Sequence, residues 1–103
     1  MKIKTLLDVS SKKDETVQYD TKLIKDLQKL PDFIVEKLKM WAKSVNALGI
    51  AKVRESKGFH DEPLKGTRKG QRSIRLNYYY RAIYVEDKKS IKIIVIEVNK
   101  HDY

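Results

Sequence analysis

Between Glu62 and Arg81 the chain reads EPLKGTRKGQRSIRLNYYYR. One carboxylate, Glu62, is followed by Lys65, Arg68, Lys69, Arg72, Arg75 and Arg81, with no further acidic residue among them. A cation-studded loop that runs into a strand is the sequence pattern of a polyanion site. Cleavage of RNA without a metal needs few parts. A base takes the ribose 2′-OH proton, cations stabilise charge developing on the phosphate, and an acid protonates the leaving 5′-oxygen. Glu62 is the candidate base. Lys65, Arg68, Arg75 and Arg81 are candidates to hold the phosphate, and Lys69 and Arg72 extend the basic surface. His101 or Tyr103, returned by the last strand, is the candidate acid, and histidine has the side-chain pKa nearest neutrality.

Each of these residues also has a plainer role. Arg81 lies inside an otherwise apolar strand and needs a partner: Glu97 on the next strand, Glu62, or a phosphate gripped by its guanidinium fork. His60 reads as a loop residue, and His101 is also consistent with an exposed tail. Tyr78, Tyr79 and Tyr80 offer rings for base stacking, but strand alternation leaves at most one or two of them exposed. The same basic loop suits a protein that only binds RNA or DNA.

Composition bounds these readings. The chain has 103 residues, of which 23 are Lys or Arg and 14 Asp or Glu, for a net charge of +9. That length supports one domain, residues 1–103, with a small core. The charge points to nucleic acid, an anionic surface or an acidic partner. Cysteine is absent, which excludes disulfides and thiolate metal sites, and two histidines are too few for a histidine cage. No metal or other cofactor is expected. No apolar run approaches the roughly 20 residues that span a bilayer. The first residues, MKIKTLLDVSS, lack a sustained apolar signal core. The expected location is the cytoplasm, with no membrane partner.

The elements that must position the site follow from periodicity. Residues 1–9 and 16–19 read as short strands whose pairing the pattern leaves open, and Asp20 or Thr21 reads as a helix N-cap. Leu23, Ile24, Leu27 and Leu30 recur at helical spacing until Pro31. A longer helix places Ile34, Leu38, Trp41, Val45 and Leu48 on one stripe and stops at Gly49. Trp41 in that stripe reads as core. The two helices form a hairpin. Residues 50–59 are a connector with one helical turn near Ala51–Arg54, and residues 60–70 an exposed loop. Strands follow over 72–77, 79–85 and 91–98, the last apolar on both faces and hence central. The fold class is α+β, an N-terminal helical hairpin packed on one face of a twisted antiparallel sheet. The other face is left to carry the site.

Four segments in order carry a resemblance: EPLKG at 62–66, RKGQRSIRL at 68–76, YRAIY at 80–84 and the ending EVNKHDY. Together they resemble the RelE/ParE superfamily of bacterial toxins, with the mRNA-cleaving RelE, HigB and YoeB branch most similar. The resemblance implies a microbial-ribonuclease-like fold. It also implies metal-independent cleavage of mRNA in the ribosomal A site and neutralisation by a cognate antitoxin. The partners so implied are mRNA, the ribosome and that antitoxin, the toxin being a monomer alone and part of a hetero-oligomer with antitoxin. Glu62 matches the proposed base of YoeB-like members. Arg75 and Arg81 match two sheet arginines that engage phosphate, Lys65 the basic loop, and Tyr103 an active-site aromatic. The tail departs from the pattern: YoeB-like chains end with His beside Tyr, whereas Asp102 separates His101 from Tyr103 here. RelE-like members use several lysines, a role open to Lys65 and Lys69. ParE-type members share the fold and act on DNA gyrase, which is the alternative function, beside simple nucleic-acid binding.

Overall fold

The computed structural model describes residues 16–89 and 92–100. The strand expected over residues 1–9, and the tail residues His101 and Tyr103, lie outside the described residues. Among the described residues five strands form one sheet: β1 Val17–Tyr19, β2 Glu62–Pro63, β3 Arg72–Arg75, β4 Tyr80–Asp87 and β5 Lys92–Lys100. Their spatial order is β1-β5-β4-β3-β2. The α-helices among the described residues are α1 Ile24–Gln28, α2 Asp32–Leu48 and α3 Ile50–Arg54. The class is α+β, as expected, but the sheet is mixed: β1 pairs parallel with β5 and every other pair is antiparallel.

Local chemistry sets most boundaries. Asp20 is the cap: its Oδ1 accepts the Lys22 N–H at 2.9 Å and opens a 3-10 turn, Thr21–Leu23, ahead of α1. α1 is shorter than the apolar spacing suggested. Lys29 and Leu30 donate to carbonyls three residues back, and Leu30 precedes a proline, which disfavours helix there. Pro31 then caps α2, its carbonyl accepting from Ile34 and Val35. Gly49, at φ +90, ends α2 in a conformation that a side chain resists. Asn46 of α2 fixes the start of β1, its Oδ1 accepting the Thr16 N–H at 2.7 Å and the Val17 N–H at 3.2 Å.

The helices bury one face of the sheet. Ile34, Leu38, Trp41 and Val45 of α2 are fully or almost fully buried, with Leu23, Leu27, Val53, Ile74, Ala82, Tyr84, Ile93 and Val95 around them. The Trp41 and Tyr84 rings meet at 5.2 Å between centroids. Leu48 departs from its expected place in this stripe: it is 61% exposed. α3 follows at once and supplies Val53 to the core instead.

The expected central strand is confirmed, with β5 between β1 and β4. Its apolarity on both faces has a more specific cause. A bulge shifts the β4–β5 register between Ile83 and Tyr84: Ile83 faces Glu97, and Tyr84 faces Val95. The extra residue, Ile96, changes the phase of the strand. Val95 and Val98, an odd number apart, therefore both face the helices and are buried, while Ile94 and Ile96 are half-buried on the other side. Among the described residues no helix is long and apolar enough to cross a membrane.

Truncating a well-packed aromatic leaves a cavity as well as losing buried area. Trp41→Ala should cost about 3–5 kcal/mol in urea unfolding, and Leu48→Ala less than about 0.5 kcal/mol. Similar losses at both positions would contradict this division of the helix.

Candidate functional site

The helix-free face of the sheet is organised by register. Residues paired across neighbouring strands project from the same face, with Cα atoms about 4.5–5.5 Å apart. Glu62 pairs with Ser73, Ser73 with Ile83, and Ile83 with Glu97. One step along, Arg75 pairs with Arg81 and Arg81 with Asn99. Two parallel rows result. The first has a carboxylate at each end. The second sets two guanidinium groups opposite each other beside an amide.

The first row is roofed by the basic loop. Arg68 lies in a 3-10 turn, Gly66–Arg68, and its Nη2 donates to Glu97 at 2.5 Å while its Nε donates to Gln71 at 2.8 Å. Glu97 also accepts from Asn99 Nδ2 at 2.5 Å. To reach Glu97 from the β2–β3 loop, Arg68 must extend over Ser73 and Ile83. That explains why Ile83 has no exposed surface yet lies outside the helix-side core cluster. Glu97, expected as a partner for Arg81, is thus bonded to Arg68 and Asn99.

Arg81 is left in an unusual position. It is half-buried, and its Nε is buried with no hydrogen-bond partner among the described residues. A buried guanidinium donor left unpaired costs free energy, and like charges directly opposite each other in a sheet repel. An anion placed over the Arg75–Arg81 row relieves both. A phosphate, with several acceptor oxygens, fits forked donors of this kind.

Glu62 reaches this face because of the residue before it. The Asp61 carboxylate is 1% exposed and sits on the helix side. It accepts the Tyr84 hydroxyl at 2.6 Å and Arg72 Nε at 2.6 Å, and Arg54 Nε lies 3.7 Å away. Arg54 Nη2 also donates to the Tyr84 oxygen at 2.9 Å and to Glu86 at 3.0 Å. Burial, and then the hydrogen bond to Asp61, push the Tyr84 phenol well above its ordinary pKa. Burial lowers Arg54, but its bonds to Tyr84 and Glu86 and the nearby Asp61 charge outweigh that, so its pKa is raised. Successive residues of an extended chain point to opposite faces. With Asp61 fixed on the helix side, Glu62 projects to the open side.

The candidates therefore divide. Glu62, Arg68, Arg75 and Arg81 share the open face. Lys65 and Lys69 are exposed on its rim, in a loop turned at Gly66 (φ +65) and Gly70 (φ +96). Arg72 points the other way, in the Pro63–Arg72–Tyr84 row, with its Nε on Asp61. His60 is exposed in a left-handed turn, φ +52. The Asp61–Arg54–Tyr84–Glu86 cluster and Asn99 were not singled out in the sequence. The only available signal for Asp61 was its place next to Glu62. Among the described residues no group of three or more His, Cys, Asp or Glu could hold a metal ion.

Comparison with solved structures shows the same fold elsewhere. RelE in an archaeal RelE–RelB complex from Pyrococcus horikoshii OT3 superposes with a TM-score of 0.64 at 20% identity, covering 84% of this chain and 94% of that one. YoeB in a YoeB–YefM complex from Staphylococcus aureus gives 0.64 at 23% identity, covering 84% and 97%. A mutant of YafQ from E. coli gives 0.63 at 20% identity, covering 84% and 93%. No protein-family model and no curated protein matches the sequence.

Removing one partner from a buried charge network leaves the others uncompensated. Asp61→Ala should lower unfolding free energy by about 3–5 kcal/mol in urea titration. A loss below about 1 kcal/mol would show that the cluster behaves as surface ion pairs.

Proposed function

We propose that the chain is the toxin of a type II toxin–antitoxin pair and cleaves mRNA in the ribosomal A site. The observation that carries this reading is the Arg75–Arg81–Asn99 row, with a buried Arg81 donor that has no partner among the described residues, beside a row that ends in Glu62. The shared fold supports it: the similar structures include toxins crystallised with antitoxins. The net charge of +9 suits a protein that must lie against ribosomal RNA.

In the proposed reaction the scissile phosphate sits over Arg75 and Arg81. Glu62 takes the proton of the 2′-OH, and the 2′-oxygen attacks phosphorus. The bond from phosphorus to the 5′-oxygen breaks, giving a 2′,3′-cyclic phosphate and, after protonation by His101 or Tyr103, a 5′-hydroxyl. Arg75 and Arg81 stabilise negative charge on the non-bridging oxygens as it grows. Arg68, Lys65 and Lys69 hold the flanking strand, and Arg68 has to exchange Glu97 for phosphate or bind while keeping it. These roles need no metal. The cognate antitoxin, an acidic or groove-covering segment, would form the hetero-oligomer and occlude the same face. The site of action is the cytoplasm, where messages are translated.

The test is primer extension on a reporter mRNA in a reconstituted translation reaction. Wild-type protein should produce cuts at the A-site codon only when ribosomes are present. Arg81→Ala should reduce the rate roughly 100-fold or more, and Glu62→Gln by about 10²–10⁴-fold, with thermal unfolding little changed. Arg81→Lys should recover only part of the loss, because an ammonium lacks the fork. An uncut message with the wild-type chain, or wild-type rates in Arg81→Ala, would overturn the assignment.

A further inference from the structure

The β3–β4 turn carries two exposed aromatic rings that the reaction above does not use. Tyr78 is 61% exposed and Tyr79 54% exposed. Their rings meet edge to face, 5.1 Å between centroids and 88° between planes. The turn beneath them is rigidly built. Asn77 Oδ1 accepts the N–H groups of Tyr79 and Tyr80, both at 2.8 Å, and the Leu76 N–H donates to the Tyr80 carbonyl at 2.8 Å. Tyr80 packs against the core, so the chain enters β4 from a fixed point. The Asn77 side chain thus closes a local turn that leaves both rings at the surface.

The setting of the rings identifies a ligand class. Among the described residues, the charged side chains on the strand ends beside the turn are Arg75 and Arg81, paired on the open face, and Lys100, in the Tyr80 row of the other face. Arg81 follows Tyr79 by two residues, a reach of at most about 7 Å along the backbone. Rings placed so close to a cationic row match a strand with a phosphate and a base on the same nucleotide. Only an unpaired base has a face open for stacking.

We propose that Tyr78 and Tyr79 form a platform on which a base of single-stranded RNA stacks, next to the phosphate held by Arg75 and Arg81. The platform rests on the phosphate-site reading and adds to it the element that positions the nucleotide. Its contribution is uncharged and tolerant of base identity, unlike that of the arginines.

Fluorescence anisotropy with the full chain and a short 2′-O-methyl oligoribonucleotide, which lacks the attacking hydroxyl, separates the two. Tyr78→Ala or Tyr79→Ala should weaken binding about tenfold, with no change in the slope of log affinity against log salt. The corresponding Phe variants should restore it. Replacing the stacked nucleotide by an abasic one should weaken the wild type and erase its difference from the Ala variant. Arg75→Ala should instead lower the salt slope by about one charge. Unchanged affinity in both Tyr→Ala variants, with weaker binding in Arg75→Ala, would overturn the platform and leave the phosphate site standing. Unchanged oligonucleotide affinity but lost ribosome association in the Tyr variants would assign the turn to a ribosomal protein or folded RNA, and would likewise overturn it. Unchanged binding in the Arg and Tyr variants together would remove the phosphate site as well.

Discussion

The carboxylate of Asp61 is the point on which the site depends. It is almost inaccessible to water, and it draws together side chains from α3, β3 and β4: Arg54, Arg72 and Tyr84. A buried carboxylate is tolerable only with such partners. Those partners decide which way the short strand β2 faces. The residue after a fixed Asp61 must point to the open side of the sheet, and that residue is Glu62. An interaction on the helix side of the sheet therefore orients the candidate base on the other.

Two further constraints shape the open face. The bulge at Ile83/Tyr84 lets β5 keep Val95 and Val98 in the core while presenting Glu97 and Asn99 beside Ile83 and Arg81. Without the phase change, one of these two sets would be misdirected. Arg68 then ties the basic loop to Glu97 and occupies a carboxylate that sits one row from Arg81. The Arg68–Glu97–Asn99 groups thus satisfy one another, and on this face Arg81 Nε is left buried with no partner among the described residues. The open face combines a structural ion pair at its edge with a cationic row in which Arg81 Nε lacks an acceptor among the described residues.

Much of the fold was legible from periodicity. The stripe Ile34, Leu38, Trp41 and Val45 has a clear 3.6-residue spacing, and Pro31 and Gly49 punctuate it with specific backbone requirements. β5 was recognisable as central because few charges interrupt it. Leu48 was misplaced because angular position on a helix does not say where the neighbouring layer ends. The parallel pairing of β1 was not legible, since a three-residue strand carries almost no register information. In the site, Arg81 was singled out because an arginine in an apolar strand needs a partner, and Arg75 because it ends the run of cations in the neighbouring strand. Arg72 looked the same in sequence, and only the Pro63–Arg72–Tyr84 pairing turns it toward Asp61. Long-range ion pairs such as Arg54–Asp61 and Arg68–Glu97 leave no local pattern, so the buried cluster was invisible until the strands were aligned.

The central claim is that this face performs chemistry on ribose. The most direct test places a single 2′-deoxynucleotide at the A-site cleavage position of an otherwise natural message, in a translation reaction with wild-type protein, and measures cutting and the chemistry of the new ends. The account predicts no cutting at the deoxy position, and a 2′,3′-cyclic phosphate with a 5′-hydroxyl on the all-ribose control. Efficient cutting of the deoxy message would contradict it, because the 2′-oxygen could not then be the nucleophile of the proposed reaction.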